Sequence, residues 1–514
     1  MVILLVALIA GACGGAAPGA ASGMARIAIG APTQLDPAAS GDAQSSAVIA
    51  QLFETLTALD DSLVLQPALA ESWRVEDDGQ RMVFRLRPDL RFSDGTPLRA
   101  SDVVRSWLRV IDPDRPSPLH TLLLDVRGAS AYVAGQGTVD DVGLRADDSV
   151  GDVIVDLVRP TSEFPSIVAG ATFAVVPPGI DGTDGLRPGE GFVASGGYRL
   201  ASASDTEMVL QANPNYWAGP PSLGTITVLT DLGGASPVER FESGDVDYAP
   251  ISSFDASWIA YDETLGPQLR SVPAMSTDFY GFDTTVAPFD DVRVRQAFGA
   301  AVDWRRIARF AVDDPAAVAT SMVPPGIPDR TTRDMLPRHD PDAGRALLAE
   351  AGFPGGAGFP DVTLVTGGSA YDEAVVAELE RELGVTVKAE NMDFDAYFER
   401  LDTDAPAMWS LSWIADYPGR NDFLGVLLGT GSANNYGHWS SPEFDAALAE
   451  AAAARDPASV AAAYDRAEEI VQRDVPVVPM SYGTGWALSR EGFLGAGQNG
   501  LGSLRFAGLA WTGP

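Results

Sequence analysis

The segment Met408–Tyr417 (MWSLSWIADY) is the part of the sequence best suited to binding chemistry. Its side chains alternate as in an extended strand, so that Trp413 and Tyr417 share an aromatic face and Asp416 lies on the other. A carboxylate in a dry cleft is costly unless a cation pairs with it. Asp416 would therefore select a cationic group, or else it caps a turn before Pro418.

Catalytic and metal-binding chemistry finds no support in the sequence. The histidines His120, His339 and His438 are far apart, and neither G-x-S-x-G nor G-x-x-x-x-G-K-[ST] occurs. The lone lysine Lys388 and the lone cysteine Cys13 exclude a phosphate-binding loop of that type, an intramolecular disulfide and a Cys-based zinc site. We expect no enzymatic activity, no cofactor and no directly bound metal.

The chain is strongly acidic. It has 70 Asp and Glu against 35 Lys and Arg among 514 residues, a formal charge of −35. Such a field repels nucleic acid and anionic lipid, which excludes a nucleic-acid partner. It keeps an exported protein soluble or, as an alternative, attracts cationic solutes. The chain is longer than a single hydrophobic core usually supports, which predicts two or three domains.

The N-terminus is typical of an export signal. Val2–Ala10 is almost wholly apolar, and small residues lead to Cys13. This arrangement resembles the bacterial lipobox, which implies lipidation of Cys13, although no basic residue precedes the apolar run and Ala10 stands where Leu is more usual. An ordinary secretory signal with an incidental cysteine is the alternative. Residues 1–24 are thus expected to form the signal and a flexible tether.

The predicted elements alternate between strands and helices in the second half of the chain, which favours an α/β fold. Alternating or β-branched runs predict strands at 25–30, 82–86, 153–158, 174–176, 198–200, 207–211, 225–229, 362–365 and 385–389. Apolar periodicity predicts helices at 44–56, 101–111 (with Ser101 as N-cap), 292–301, 343–351, 372–383, 442–454 and 459–473.

Six blocks, in order along nearly the whole mature chain, resemble the solute-binding proteins of oligopeptide and dipeptide importers, the family 5 extracellular type. The blocks are Leu52–Asp112 (with PALAESW and FSDGTPLRASD), Gly196–Leu200 with Asn213–Trp217 (NPNYW), Pro288–Asp303 (PFDDVRVRQAFGAAVD), Ala346–Gly358, Trp413–Phe423 (WIADYPGRNDF), and Asn434–Asp445 with Asp474–Met480. Most of these residues are expected to have structural rather than ligand-binding roles, as in the tight turn of SDGTP.

The resemblance implies a two-lobed periplasmic-binding-protein-like α/β fold with a hinge and an additional inserted N-terminal lobe, which closes around a ligand. Lobe I is expected to be discontinuous, at 25–45, 165–262 and 478–514. Lobe II is the insertion at 46–164, and lobe III covers 263–477.

The resemblance also implies site residues. Asp416 matches the Asp that holds the α-ammonium of a bound peptide, while nearby main chain pairs with the ligand as an added strand. For the aromatic residues, a core role is an equal alternative. Arg420 could meet a ligand carboxylate or pair with Asp422. The candidate ligand-binding residues are Asp416, Trp413, Ile414, Tyr417, Ser412, Tyr280, Phe282, Ala43, Asn435 and Tyr436.

The function implied is capture of a peptide or peptide-like solute outside the cytoplasm, for delivery to membrane permease subunits of an ABC transporter. The protein is expected to be a monomer held to the cell membrane by a lipid anchor. A non-peptide solute (a sugar, an opine or a chelate) is the alternative ligand. A secreted hydrolase or a structural surface lipoprotein is the alternative from another class.

Overall fold

A computed structural model describes residues 23–180, 186, 189, 191–311, 318–369, 371–454 and 456–512. Cys13, its expected lipidation and residues 1–22 of the expected signal and tether lie outside the described residues. The helices are α1 (Ala43–Leu52), α2 (Ala100–Val110), α3 (Ala129–Val133), α4 (Phe164–Ile167), α5 (Pro237–Glu242), α6 (Ser253–Ile259), α7 (Val292–Ala301), α8 (Trp304–Ala311), α9 (Pro341–Glu350), α10 (Asp372–Leu383), α11 (Phe394–Thr403), α12 (Arg420–Phe423), α13 (Gly425–Leu428), α14 (Pro442–Ala453) and α15 (Pro457–Asp474). The strands are β1 (Met24–Ala28), β2 (Thr57–Leu59), β3 (Leu65–Pro67), β4 (Ala70–Glu76), β5 (Arg81–Leu86), β6 (Leu144–Asp147), β7 (Asp152–Asp156), β8 (Tyr198–Ala203), β9 (Glu207–Ala212), β10 (Thr225–Leu229), β11 (Tyr248–Ile251), β12 (Leu269–Phe282), β13 (Val362–Thr366), β14 (Val387–Asn391), β15 (Met408–Ile414), β16 (Val477–Ser489), β17 (Phe493–Leu494) and β18 (Ala510–Trp511).

The predicted α/β class is confirmed by a large mixed sheet. Within the described residues, ten strands follow the order β14-β13-β15-β12-β16-β11-β1-β10-β9-β8. β1 runs parallel to β10 and β11, and β13 runs parallel to β14 and β15, whereas the remaining neighbours are antiparallel.

The long strands β12 and β16 connect the two halves of this sheet. Residues 269–273 of β12 pair beside the β11 side, and residues 277–281 pair beside the β15 side. A register shift separates the two ladders between Pro273 and Thr277. A bulge of this kind bends a strand, and the hinge expected between the lobes stays a prediction.

A separate antiparallel sheet, β4-β5-β7-β6, lies in the part of the chain predicted as the inserted lobe. α2 covers it because Val103, Trp107 and Val110 form one buried stripe, and the Trp107 indole donates to the carbonyl of Phe173 at 2.9 Å. The hydrophobic cluster around Trp107 draws almost wholly on residues 38–175. The exact lobe limits remain a prediction.

Two local predictions are wrong. Residues 174–176 are irregular rather than a strand, because they follow a short 3₁₀ helix (Ala171–Phe173) whose last residues are held by α2. Ser101 lies inside α2 and donates to Asp148, while the Asp102 carboxylate accepts the backbone N–H of Arg99 at 2.9 Å and so caps the helix. In the described part of the chain, no helix is long and apolar enough to cross a membrane.

Candidate functional site

A cavity of about 340 Å³ lies where the end of β15 meets α1, the 3₁₀ helix at 171–173 and a C-terminal loop. Most of its wall is small or apolar, which is typical of small-molecule sites that carry a few well-placed polar groups. The lining residues are Gly41, Asp42, Ala43, Ser46, Ala47, Ala50, Phe53, Glu54, Thr55, Leu59, Leu119, Leu122, Ile167, Ala169, Gly170, Ala171, Thr172, Phe173, Ile414, Ala415, Asp416, Asn499, Leu501, Gly502, Ser503 and Arg505.

Asp416 is positioned by its neighbour Asp422. One Asp422 oxygen (Oδ2) accepts the backbone N–H of Asp416 at 3.2 Å and the indole N–H of Trp413 at 2.9 Å, which fixes the chain as it leaves β15. None of the described residues donates a hydrogen bond to the Asp416 carboxylate or pairs with it as a cation. Burial raises the pKa of Asp416 from 3.8 to about 6.

Asp422 lies next to Asp416 but is not among the residues that line the cavity. Its side chain is fully buried, and its second oxygen, Oδ1, has no hydrogen-bond partner among the described residues. Burial, and then the charge of Asp416, raise the pKa of Asp422 well above its usual range. The raised pKa of Asp422 favours its neutral form, so the charge at this corner belongs to Asp416, and a charged carboxylate in a dry place favours the arrival of a cation.

The other two acids of the wall already have partners. Asp42 accepts hydrogen bonds from Thr33 and Ser45 at the start of α1, and its pKa is lowered despite partial burial. The Glu54 carboxylate pairs with Arg505 at 2.8 Å. Asp416 is therefore the carboxylate of this wall, within the described chain, that still needs a partner.

Backbone groups next to Asp416 also remain available. β12 pairs with all of β15, from Ser276 opposite Ile414 to Phe282 opposite Met408. β13 pairs only with Met408 and Trp409, so residues 410–414 have no second strand partner in the described chain. Ser410 and Leu411 are buried, and the Ser410 carbonyl accepts from the Tyr397 hydroxyl, so the accessible part of this edge is residues 412–414. Ile414 is 59% exposed and lines the cavity.

The structure brings three of the predicted site residues together at the cavity. These are Ala43 at the start of α1, Ile414 at the end of β15, and Asp416. Ser412 is exposed and lies opposite Asp278 in the ladder, and Trp413 is engaged with Asp422.

The remaining predicted residues lie elsewhere, mostly in the core role that the sequence left open. The Tyr280 hydroxyl donates to Asp372 at 2.8 Å, and Phe282 packs with its ring centroid 4.7 Å from that of Phe289. Tyr417 is buried in the cluster around Trp107, and Tyr436 packs edge-on against Trp409 at 6.1 Å. Asn435 donates to the backbone carbonyls of Leu428, Gly429 and Trp439, which holds a loop together.

Arg420 takes neither of the roles considered from the sequence. Its side chain is only 2% exposed and pairs with Glu468 at 2.6 Å and Asp465 at 2.8 Å. It therefore does not pair with Asp422, and it does not line the cavity. Arg420 is the first residue of α12, the short helix that also carries Asp422, and its ion pairs hold the start of that helix.

Sequence reasoning missed the C-terminal loop, in which Asn499, Leu501, Gly502, Ser503 and Arg505 form one wall of the cavity. A Gly-rich stretch after the last long strand carries no periodic signal. The loop is fixed by distant contacts, such as Gln51 of α1 donating to the carbonyl of Leu504 at 2.8 Å. The one signal in the sequence analysis was the expectation that residues 478–514 return to lobe I.

Glu163 is a further titratable group close to the site. Burial raises its pKa to about 7, although a hydrogen bond from Tyr417 acts in the opposite direction. It lies over the chain that follows Asp416, since a methyl group on Gly419 would come within 2.7 Å of its carboxyl carbon.

We expect the affinity for an amine-bearing ligand to fall as the pH drops through about 6. The unliganded Asp416 has its pKa raised to about 6, and a bound ammonium needs the charged carboxylate, so protons compete with the ligand below that pH. Well below the pKa, the loss approaches roughly tenfold per pH unit. Calorimetric titration between about pH 5 and pH 7 measures this. The variant Glu163→Gln should show the same pH midpoint of binding. If the pH dependence of the affinity were lost in that variant, the effect would belong to Glu163.

Comparison with known proteins places this site in context. The model of the bacterial extracellular solute-binding proteins, family 5, matches residues 64–435. The probable deoxycholate-binding periplasmic protein YgiS of Escherichia coli is 29% identical over 466 residues, which cover 88% of this chain and 86% of that protein. The periplasmic oligopeptide-binding protein OppA of Salmonella typhimurium is 28% identical over 470 residues, with 87% and 84% covered. The structure of the Escherichia coli murein tripeptide-binding protein MppA superimposes with a TM-score of 0.79 at 25% identity and covers 96% of this chain and 99% of that one.

Proposed function

The chain belongs to the bacterial extracellular solute-binding proteins, family 5, and we propose that it captures short peptides through their free α-ammonium group. The observation that carries the proposal is the unpartnered Asp416 carboxylate in the wall of an otherwise largely apolar cavity. An ammonium group supplies the missing charge and up to three N–H donors. Charge-assisted hydrogen bonds of this kind are stronger than neutral ones.

The main chain of β15 provides a second means of recognition. Residues 412–414 lack a strand partner on one side within the described chain, and Ile414 of this stretch lines the cavity. A peptide that adds to this edge gains backbone hydrogen bonds without any reading of its side chains. Such a site accepts many sequences and demands a free amino terminus.

In this proposal the protein works outside the cytoplasm and delivers its ligand to the permease subunits of an ABC transporter, without catalysing a reaction itself. The relatives named for oligopeptide and murein tripeptide binding support this role. A lipid anchor on Cys13 and a monomeric state complete the proposal. They rest on the sequence alone.

A steroid ligand is the second candidate, because one relative is named as probably deoxycholate-binding. Deoxycholate carries a carboxylate and no amino group. It therefore cannot supply the cation that the Asp416 carboxylate lacks within the described chain. The cavity therefore favours the peptide over the bile acid.

Thermal unfolding of the purified protein with three probes separates these functions. A ligand that binds only the folded state stabilises it by about 2.7 kcal/mol at a hundred times its dissociation constant. We expect tri-alanine to raise the melting temperature, and N-acetyl-tri-alanine and deoxycholate to leave it unchanged. Stabilisation by deoxycholate alone would replace the proposal with the steroid function. Native mass spectrometry of the same preparation would identify what co-purifies.

A further inference from the structure

Asn499 begins the C-terminal loop that forms part of the cavity wall. Its backbone N–H donates to the carbonyl of Ser503 at 3.0 Å, and its carbonyl accepts the N–H of Gly502 at 2.9 Å. Its side-chain oxygen, Oδ1, accepts the backbone N–H groups of Leu501 and Ser503, each at 3.1 Å. Asn499 therefore closes this loop with both its backbone and its side chain.

These bonds fix the direction of the Asn499 amide. Only the oxygen of the amide can accept the two N–H groups, so the nitrogen, Nδ2, lies on the other side. Nδ2 donates to none of the described residues, and it is not among the buried atoms that lack a partner. Asn499 is only 4% exposed and lines the cavity, so Nδ2 is an accessible donor that faces this space.

Met275 of β12 joins this loop to the segment that carries Asp416. Its backbone N–H donates to the carbonyl of Gly500 at 2.7 Å, and its carbonyl accepts the N–H of Ala415 at 2.8 Å. Gly500 packs so closely here that a methyl group on it would lie 2.9 Å from the Met275 side chain. Because Gly500 and Ala415 are the sequence neighbours of Asn499 and Asp416, these two side chains keep a set separation in one wall.

The free amide nitrogen of Asn499 needs an acceptor from the ligand. A donor that loses its water when a ligand fills the cavity destabilises the complex unless the ligand replaces that bond. The carboxamide is neutral, and its nitrogen only donates, so it suits an uncharged carbonyl oxygen. In a peptide whose ammonium group meets Asp416, the carbonyl of the first peptide bond is the acceptor closest to that ammonium group.

We propose that Asn499 donates from Nδ2 to the carbonyl oxygen of the ligand's first peptide bond, so that Asn499 and Asp416 together recognise an α-aminoacyl group. This inference rests on the proposed function and narrows its ligand class. Asp416 alone would accept any amine, polyamines included. The second group adds a requirement for an acyl oxygen beside the amine. It reads no side chain of the ligand, so peptides of many sequences still satisfy it.

Calorimetric titration with tri-alanine and two thioamide analogues tests the assignment. Each analogue replaces one carbonyl oxygen by sulfur, a weak acceptor, at either the first or the second peptide bond. In the wild-type protein, sulfur at the first bond should weaken binding about fivefold more than sulfur at the second, which is the effect of losing one neutral hydrogen bond.

Two variants remove the donor. Asn499→Asp keeps the loop, because an aspartate oxygen still accepts the backbone N–H groups of Leu501 and Ser503. Asn499→Ser removes the donor without adding a charge. Both variants should bind the two analogues equally well. Comparing two analogues on one protein cancels any general change of affinity, so a partly destabilised variant still gives a result.

Asn213→Asp is the matched control. The Asn213 side chain also accepts a backbone N–H two residues later, from Asn215 at 2.9 Å, but its amide already donates to the carbonyl of Gly196 at 2.8 Å. This variant should keep the wild-type preference between the analogues. A preference that is absent from wild type, or that persists in both Asn499 variants, would overturn the role of Asn499 and leave the peptide function standing. No binding of tri-alanine to wild type would overturn both.

Discussion

Replacing Asp416 by asparagine is expected to weaken the binding of tri-alanine by at least about 30-fold. Truncating one partner of a buried, hydrogen-bonded charge pair costs roughly 2–5 kcal/mol or more, and each 1.4 kcal/mol is about a factor of ten in affinity. Asparagine keeps the size and the polar atoms of the side chain. The loss therefore reports the missing charge rather than a cavity in the wall.

The same substitution should stabilise the unliganded protein at neutral pH. The pKa of Asp416 is raised from 3.8 to about 6 in the folded state, so the folded chain holds a proton that the unfolded chain has released between those values. The carboxylate consequently costs stability above about pH 6, and this cost vanishes below about pH 4. The neutral amide of the D416N variant would carry no such cost, and the repulsion toward Asp422 would also be absent.

Calorimetry and thermal unfolding together check both effects. D416N should bind tri-alanine weakly at pH 7, should melt higher than wild type at pH 7, and should melt at the wild-type temperature near pH 4. Asp342→Asn is a matched control, because the Asp342 side chain is 92% exposed and pairs with Arg345 at the surface. It should change neither property. Unchanged affinity in D416N would show that Asp416 is not the ammonium anchor.

The position of Asp416 at the end of an extended segment is predicted from the sequence, because that signal is local, whereas its binding role comes from the family resemblance and stays a prediction. The alternating segment forms β15, and Asp416 follows directly where the sheet ends at the cavity. The aromatic candidates show why alternation cannot identify a ligand face elsewhere. Phe279 and Tyr280 of β12 lie on opposite faces of the sheet and belong to different hydrophobic clusters. Because both faces are buried, the sequence shows no alternation between apolar and polar residues that would mark one face for a ligand.

The rest of the site depends on contacts between distant parts of the chain. Arg505 and Glu54 are 451 positions apart in the sequence, and no pattern within either segment predicts their contact. The two long strands β12 and β16 are hard to predict from the sequence for a different reason. Proline normally argues against a central strand, yet Pro273 and Pro479 lie within β12 and β16, next to their register shifts, where a ladder hydrogen bond is already interrupted.

Replacing Arg420 by methionine is expected to cost about 3–5 kcal/mol of the free energy of unfolding, the usual effect of removing one partner of a buried ion pair. Arg420 and Glu468 are each 2% exposed and 2.6 Å apart, so the substitution leaves a carboxylate buried without its counterion. Arg420 also donates to the backbone carbonyl of Asp329 at 2.9 Å. The variant therefore loosens the base of α12, and with it the support that Asp422 gives to Asp416.

Urea unfolding of R420M measures the stability, and the double variant R420M/E468Q separates the two causes of its loss. Removing both charges should restore most of the stability, because replacing a buried pair is often nearly neutral, whereas breaking it is not. Arg466→Met is the matched control, since Arg466 lies on the same helix as Glu468, is 46% exposed and pairs with the exposed Glu450, and surface pairs contribute about 0–1 kcal/mol. A loss below about 1 kcal/mol in R420M would mean that solvent reaches Glu468 in the folded protein. If R420M/E468Q regains stability but still binds tri-alanine weakly, Arg420 also positions the ligand site through α12.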